Sequence, residues 1–180
     1  MKDITTRAQY DAAAQQLVGF KLDRVTYFEI EYEIGEPCYL HQAQIGHFLD
    51  FGLEFRMTGG DYRSFLWDGT FYQYGVGIYG HAANREVNTN RQWDVSETDD
   101  WHPFIGSTII AVNVYWSQEG FVEYPQDLRL AFSCHRHIYL SASQYLHSSD
   151  RLSGMSDDIL VIFDEAVAMK YKVGPHAIDA

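Results

Sequence analysis

Apolar and polar positions change period several times along this chain. Thr6-Arg7-Ala8-Gln9 has the form of a capping box, and Tyr10, Ala13, Ala14, Leu17 and Val18 follow at helical spacing. A helix is therefore expected over residues 6–18, with Gly19 placed to stop it. From Phe20 the period falls to two. Phe28, Ile30, Tyr32 and Ile34 share one face of an expected strand, and Glu29, Glu31 and Glu33 share the other, an acidic outer face that ends at Gly35-Glu36-Pro37. Leu49, Phe51, Leu53, Phe55 and Met57 alternate just as regularly. Thr58-Gly59-Gly60-Asp61 supplies a hairpin turn into a return strand at Tyr62 to Trp67, and Asp68-Gly69 a second turn into a strand over 71–79. Strands joined this closely form an antiparallel sheet.

No period holds from Gly80 to Pro103, a length that inside a compact domain points either to function or to regular structure that the pattern does not reveal. Regular alternation returns at Ile109 to Trp116. Leu128 to Phe132 and His137 to Ser141 form an expected hairpin about the turn Ser133 to Arg136. A serine-rich polar interval from Ser141 to Ser156 precedes a short, wholly apolar strand, Ile159 to Phe163, and a short helical tail over 164–173 ended by Gly174-Pro175. The expected architecture is a single α+β domain, mainly antiparallel β. It comprises an N-terminal helix, a β-rich body over residues 20–163 forming a sandwich or partly closed barrel of about seven to eight strands, and a short C-terminal helix. The 4 Trp, 13 Tyr and 11 Phe suit half-buried pleated surfaces, so most aromatic residues are expected in the core.

Charge narrows the functional classes. Thirteen Lys and Arg against 25 Asp and Glu give a net charge of −12 over 180 residues, which argues against nucleic-acid or anionic-membrane partners and favours a basic one. The longest apolar run is five residues and the N-terminus lacks an apolar core, so a cytoplasmic protein without a membrane span is expected. Cys38 and Cys134 are too few for a disulfide scaffold, and two reduced thiols are expected. Apolar strand edges would allow a homodimer.

Candidate chemistry is sparse. His135 and His137, within Cys134-His135-Arg136-His137, are spaced to face one ion from a strand, but they fall at a hairpin turn where side chains diverge, so no metal or other cofactor is expected. Asp50, Glu54, Asp61 and Asp68 could supply paired carboxylates, although an outward polar face accounts for them as well. Ser96, Ser107 and Ser141 lack a nucleophile elbow, and Gly75-Val76-Gly77-Ile78-Tyr79-Gly80 has no helix after it to receive a pyrophosphate, so no catalytic residue is assigned. What stands out is a surface: Trp93, Asp94, Glu97, Asp99, Asp100 and Trp101, together with Glu29, Glu31 and Glu33, combine acidic groups that would steer a basic partner with aromatic anchors.

Trp67-Asp68-Gly69, Tyr72-Gln73-Tyr74-Gly75, Tyr124 to Leu130 and Asp157 to Phe163 give the chain a style that resembles small uncharacterised bacterial domains, some of them similar to immunity proteins of polymorphic toxin systems. That resemblance implies a small, acidic, non-enzymatic cytoplasmic protein and transfers no functional residue. The expectation is a protein-binding module that masks a basic partner. The alternative is a sandwich or barrel with an aromatic internal pocket that binds or hydrolyses a small molecule.

Overall fold

The computed structural model describes residues 4–30, 35–89 and 91–177. Its first element is the helix α1, Arg7–Gln15, and the capping box is formed as expected: Gln9 N donates to Thr6 Oγ1 (3.3 Å) and Thr6 N to Gln9 Oε1 (3.1 Å). The helix ends three residues earlier than its apolar pattern. Residues 16–19 instead turn, with Gly19 at φ 95°, and lead the chain into the second sheet through Gly19 N to Ile109 O (2.9 Å).

Ten strands form two antiparallel sheets. The first contains β1 (Leu22–Glu29), β3 (Gly52–Met57), β4 (Tyr62–Asp68), β5 (Gly75–Tyr79) and β6 (Arg91–Asp94) in the order β5-β4-β3-β1-β6. The second contains β2 (His47–Leu49), β7 (Ile109–Glu119), β8 (Val122–Phe132), β9 (His137–Leu146) and β10 (Arg151–Ile162) in the order β2-β10-β9-β8-β7. The β3–β4 hairpin turns at Gly59 and Gly60, both at positive φ, as Thr58-Gly59-Gly60-Asp61 implies. The fold is therefore α+β with two facing sheets and no closed barrel. Among the described residues no helix is long and apolar enough to cross a membrane.

Alternation explains the core. Tyr27, Phe55, Phe65 and Val76 from the first sheet meet Leu128, Leu130, Phe132, Ile138, Leu140, Ile159 and Val161 from the second in one buried cluster. The intervening residues Tyr139, Leu160 and Ile162 pack on the opposite face, under the helix α2 (Glu165–Lys170) and beside Ile45 and Phe48. Ile159 to Ile162 is apolar throughout because both of its faces are covered.

Four expectations need correction. The alternation from Leu49 to Met57 is not one strand: Leu49 ends β2 of the second sheet, the chain bends at Asp50 and Phe51, and Gly52 opens β3 of the first. The strand at 71–79 contracts to β5, because bends occupy 71–74. The stretch from 80 to 103 holds β6 and two 3-10 turns, Ala83–Arg85 and His102–Phe104. The serine-rich interval is not a loop: β9 and β10 run through it, joined by a turn near Asp150.

Trp101 is fully buried. Its ring meets Tyr27, Phe55, Phe104 and Phe163 edge-on or tilted, within 6.3 Å between centroids. Its Nε1 donates to the Tyr27 hydroxyl (2.5 Å), which leaves the Tyr27 proton for His47 Nδ1 (2.8 Å), so His47 Nε2 carries a proton toward Asp100 Oδ2 (3.2 Å). Burial pushes the His47 pKa down despite Asp100, which keeps the ring neutral. This chain of bonds ties both sheets to residues 95–104. Trp101→Ala is expected to lower the unfolding free energy by about 3–5 kcal/mol, measured by urea denaturation.

Candidate ligand-binding site

The second sheet forks. β8 and β9 pair from Ala131 opposite His137 as far as Asp127 opposite Ser141, and no further. Beyond that point β8 continues with β7 to the turn at Glu119 and Val122, and β9 continues with β10 from Ser143 opposite Gly154 to Leu146 opposite Arg151. Two hairpin arms thus diverge from a root at Asp127 and Ser141. Pro125, which has no N–H to give, stands where β8 has lost this neighbour.

Bulges on both arms set the fork. In β8 the register passes from Tyr115 opposite Asp127 to Trp116 opposite Pro125, leaving Gln126 as an extra residue. Its side chain spans the gap: Nε2 donates to Ala142 O (2.8 Å) and Ser143 Oγ (3.1 Å), and Oε1 accepts from Met155 N (3.2 Å). In β10 four residues, 155–158, loop out between Gly154 and Ile159, with Met155 at φ 56°. A Cβ at Gly154 would lie 2.5 Å from Gln126 Oε1, so a side chain there would push the Gln126 amide out of its place.

Between the arms lies a cleft of about 670 Å³. Ser117, Tyr124 and Gln126 line one side, Ser143, Arg151 and Gly154 the other, and Lys170 to Val173 close it from the C-terminal segment. That segment is anchored at the root. Gly174, at φ 66° and against the Tyr139 ring, donates its N–H to Asp127 Oδ2 (2.8 Å).

Asp127 is 2% exposed, and its Oδ1 makes no hydrogen bond of normal geometry. Burial pushes its pKa up to about 6, although the Ser141 hydroxyl, the Gly174 N–H and the Gln126 amide favour the charged form. The hydroxyls of Ser141 and Ser143 are in hydrogen-bond contact beside it, 2.7 Å apart. Gln126, Ser141 and Ser143 thus form one buried, mutually bonded polar cluster beside this carboxylate. At the rim the balance of charge reverses. Lys170 pairs with Asp150 (3.3 Å), whereas Arg151 and Lys172, both exposed, have no ion pair among the described residues.

The residues singled out by sequence lie elsewhere. Asp94, Glu97, Asp99 and Asp100 are exposed and follow one another along a single segment, but Trp101 beside them is a core residue. Trp93 is half-buried and donates Nε1 to Glu29 Oε2 (2.7 Å). Glu29 is itself buried, not part of an acidic outer face, because β6 pairs onto β1 and brings Trp93 across it; burial pushes it up to about 7. Glu31 and Glu33 lie outside the described residues. His135 sits exposed in the β8–β9 turn at φ 62°, while His137 faces Glu165 (2.5 Å), so the two do not share a face. Among the described residues no group of three or more His, Cys, Asp or Glu could hold a metal ion. The carboxylates considered for hydrolysis are engaged separately: Glu54 accepts from Ala83 N (2.7 Å), Asp50 from Ile30 N (2.8 Å) and Asp68 from the Tyr79 hydroxyl. Among the described residues Cys38 and Cys134 form no disulfide.

No protein-family model, curated protein or solved structure matches the chain.

Asp127 makes the fork sensitive to pH. The folded protein holds this proton up to about pH 6, whereas the unfolded chain releases it near 3.8. The resulting stability is fully present below that lower value and is lost as pH rises through about 4 to 6, a contribution on the order of 3 kcal/mol. Asp127→Asn is expected to remove this decline. Urea denaturation of both proteins at pH 4 and pH 7 checks it: the wild type should lose stability relative to the variant at the higher pH.

Proposed function

We propose that this protein binds a small polar molecule in the cleft between the two arms of the forked sheet. The observation that carries the proposal is the unpaired Oδ1 of Asp127 at the root of an otherwise bonded polar network. Buried polar groups are ordinarily paired, and one left without a partner at the root of a cleft is suited to a ligand's donor. The volume suits a ligand rather than a single water, since ligand sites span roughly 300–1,000 Å³. Glycine at 154 and 174 and left-handed backbone at Met155 and Lys172 are local costs of the kind that gather at binding sites.

Ser117 lines the cleft from its arm without being fully buried, so Ser117→Trp should fill the space and spare the fold. A fragment library screened by NMR is expected to shift the amides of Gln126, Ser143, Gly154 and Lys172, and these shifts should vanish in Ser117→Trp. Shifts confined to other surfaces would refute the assignment.

A second function, binding of a basic protein partner, draws support from one feature: Asp94, Glu97, Asp99 and Asp100 are all exposed on a segment that the buried Val95 and Trp101 attach to the core. A preformed acidic ridge lowers the ordering cost of association and speeds encounter. Glu97→Lys with Asp99→Lys should then weaken capture of a basic partner at least tenfold in salt-dependent binding, while Ser117→Trp leaves it unchanged.

A further inference from the structure

The root and the rim of the cleft carry opposite chemistry. The root presents a buried carboxylate and two hydroxyls, all able to accept a hydrogen bond. Asp127 is without a cation among the described residues and its Oδ1 is without a hydrogen-bond partner, the Ser141 and Ser143 hydroxyls bond to each other beside it, and the Gln126 amide N–H groups are already spent on Ala142 and Ser143. At the rim the unpaired groups are cations, Arg151 and Lys172, in a chain whose net charge is −12. Lys172 is held there by a left-handed backbone, at φ 57°, in the residue pair that leads to Gly174.

Resting on the proposal that the cleft binds a small molecule, we infer that its ligand is a zwitterion. Its primary ammonium is received by Asp127, Ser141 and Ser143, and its carboxylate or phosphate is met by Arg151 and Lys172.

A hydroxyl on the ligand could also donate to Oδ1, but it would leave the buried carboxylate uncompensated. An ammonium supplies the missing charge and makes the charge-assisted bond, about twice as strong as a neutral one. Its three N–H groups match three neighbouring oxygens: Asp127 Oδ1 and the hydroxyls of Ser141 and Ser143, which stand 2.7 Å apart. An anion alone would be drawn to the rim and repelled at the root. A cation alone would meet Arg151 and Lys172 on entry. A molecule with one charge at each end meets neither obstacle. Asp127 is ionised only above about pH 6, so binding should tighten as pH rises through that value.

Titration calorimetry of the full chain with glycylglycine and O-phosphoethanolamine tests the inference and separates carboxylate from phosphate. Their N-acetylated counterparts and glucose 6-phosphate serve as anions lacking the ammonium. At least one amine-bearing probe is expected to bind. Acetylation should weaken it about tenfold or more, and it should bind more tightly at pH 7 than at pH 5. Asp127→Asn should weaken it similarly. Arg151→Ala with Lys172→Ala, two exposed positions that leave the fold intact, should do so even if Asp127→Asn fails to fold. Failure of both amine-bearing probes to bind, or equal binding of an acetylated probe, overturns the zwitterion inference. Binding of glucose 6-phosphate alone, lost in Ser117→Trp, would overturn it while leaving the cleft as a ligand site. Absence of any cleft shift in the NMR screen would remove both.

Discussion

The second half of this protein is organised by the separation of β8 from β9 beyond Asp127 and Ser141. Two neighbouring strands that cease to pair leave backbone groups without partners, and such groups are costly unless something replaces the ladder. Gln126 does so. Expelled from the β7–β8 register as a bulge, it turns its amide into the gap, donating to Ala142 O and accepting from Met155 N, and thus holds three strands in position where the sheet itself no longer does. Gly154 leaves room for that amide, and the outward loop of residues 155–158 brings Met155 N within reach of it. The cleft follows from this substitution of a side chain for a strand pair.

The rest of the molecule keeps the fork rigid. The core between the sheets and the aromatic cluster about Trp101 fix the paired portions of β8, β9 and β10. The outer face of the second sheet is covered by α2, whose continuation passes over the root and donates Gly174 N–H to Asp127. One carboxyl is therefore shared between architecture and site: one oxygen anchors the C-terminal segment and the other is buried at the root of the cleft without a hydrogen-bond partner. Burial of that group costs folding free energy at neutral pH, as expected where a binding site is built at the expense of stability.

Much of the fold was legible in the sequence, because alternation in Leu53, Phe55 and Met57 and in Leu128 to Phe132 reports a buried face directly, and Thr6 with Gln9 reports a helix start, whereas the same period carried on through Leu49 and Phe51 conceals a change of sheet. What escaped were segments where side chains answer to something other than a core face. Ser141, Ser143 and Ser156 look like loop residues, yet they lie on strands and are buried against other polar groups. Glu29 suggests solvent by type and is buried by the pairing of β6, a distant strand too short to show a period. Trp101, flanked by Asp99 and Asp100, suggests a surface anchor, but an aromatic residue in an acidic segment can be that segment's attachment to the core. The site itself had one local signal: Pro125 followed by Gln126-Asp127 inside an apolar alternation, where proline and two polar residues mark a strand that has lost a neighbour on one side.

The account stands on Asp127 being a buried carboxylate with one oxygen unpaired. Carbon-detected NMR titration of its side-chain carboxyl in the ligand-free protein measures this directly. The structure predicts a midpoint of about 6, because burial outweighs the three donors that favour its charge. A midpoint near the ordinary aspartate value of 3.8 would show a solvated or fully partnered group, and would contradict the cleft as described.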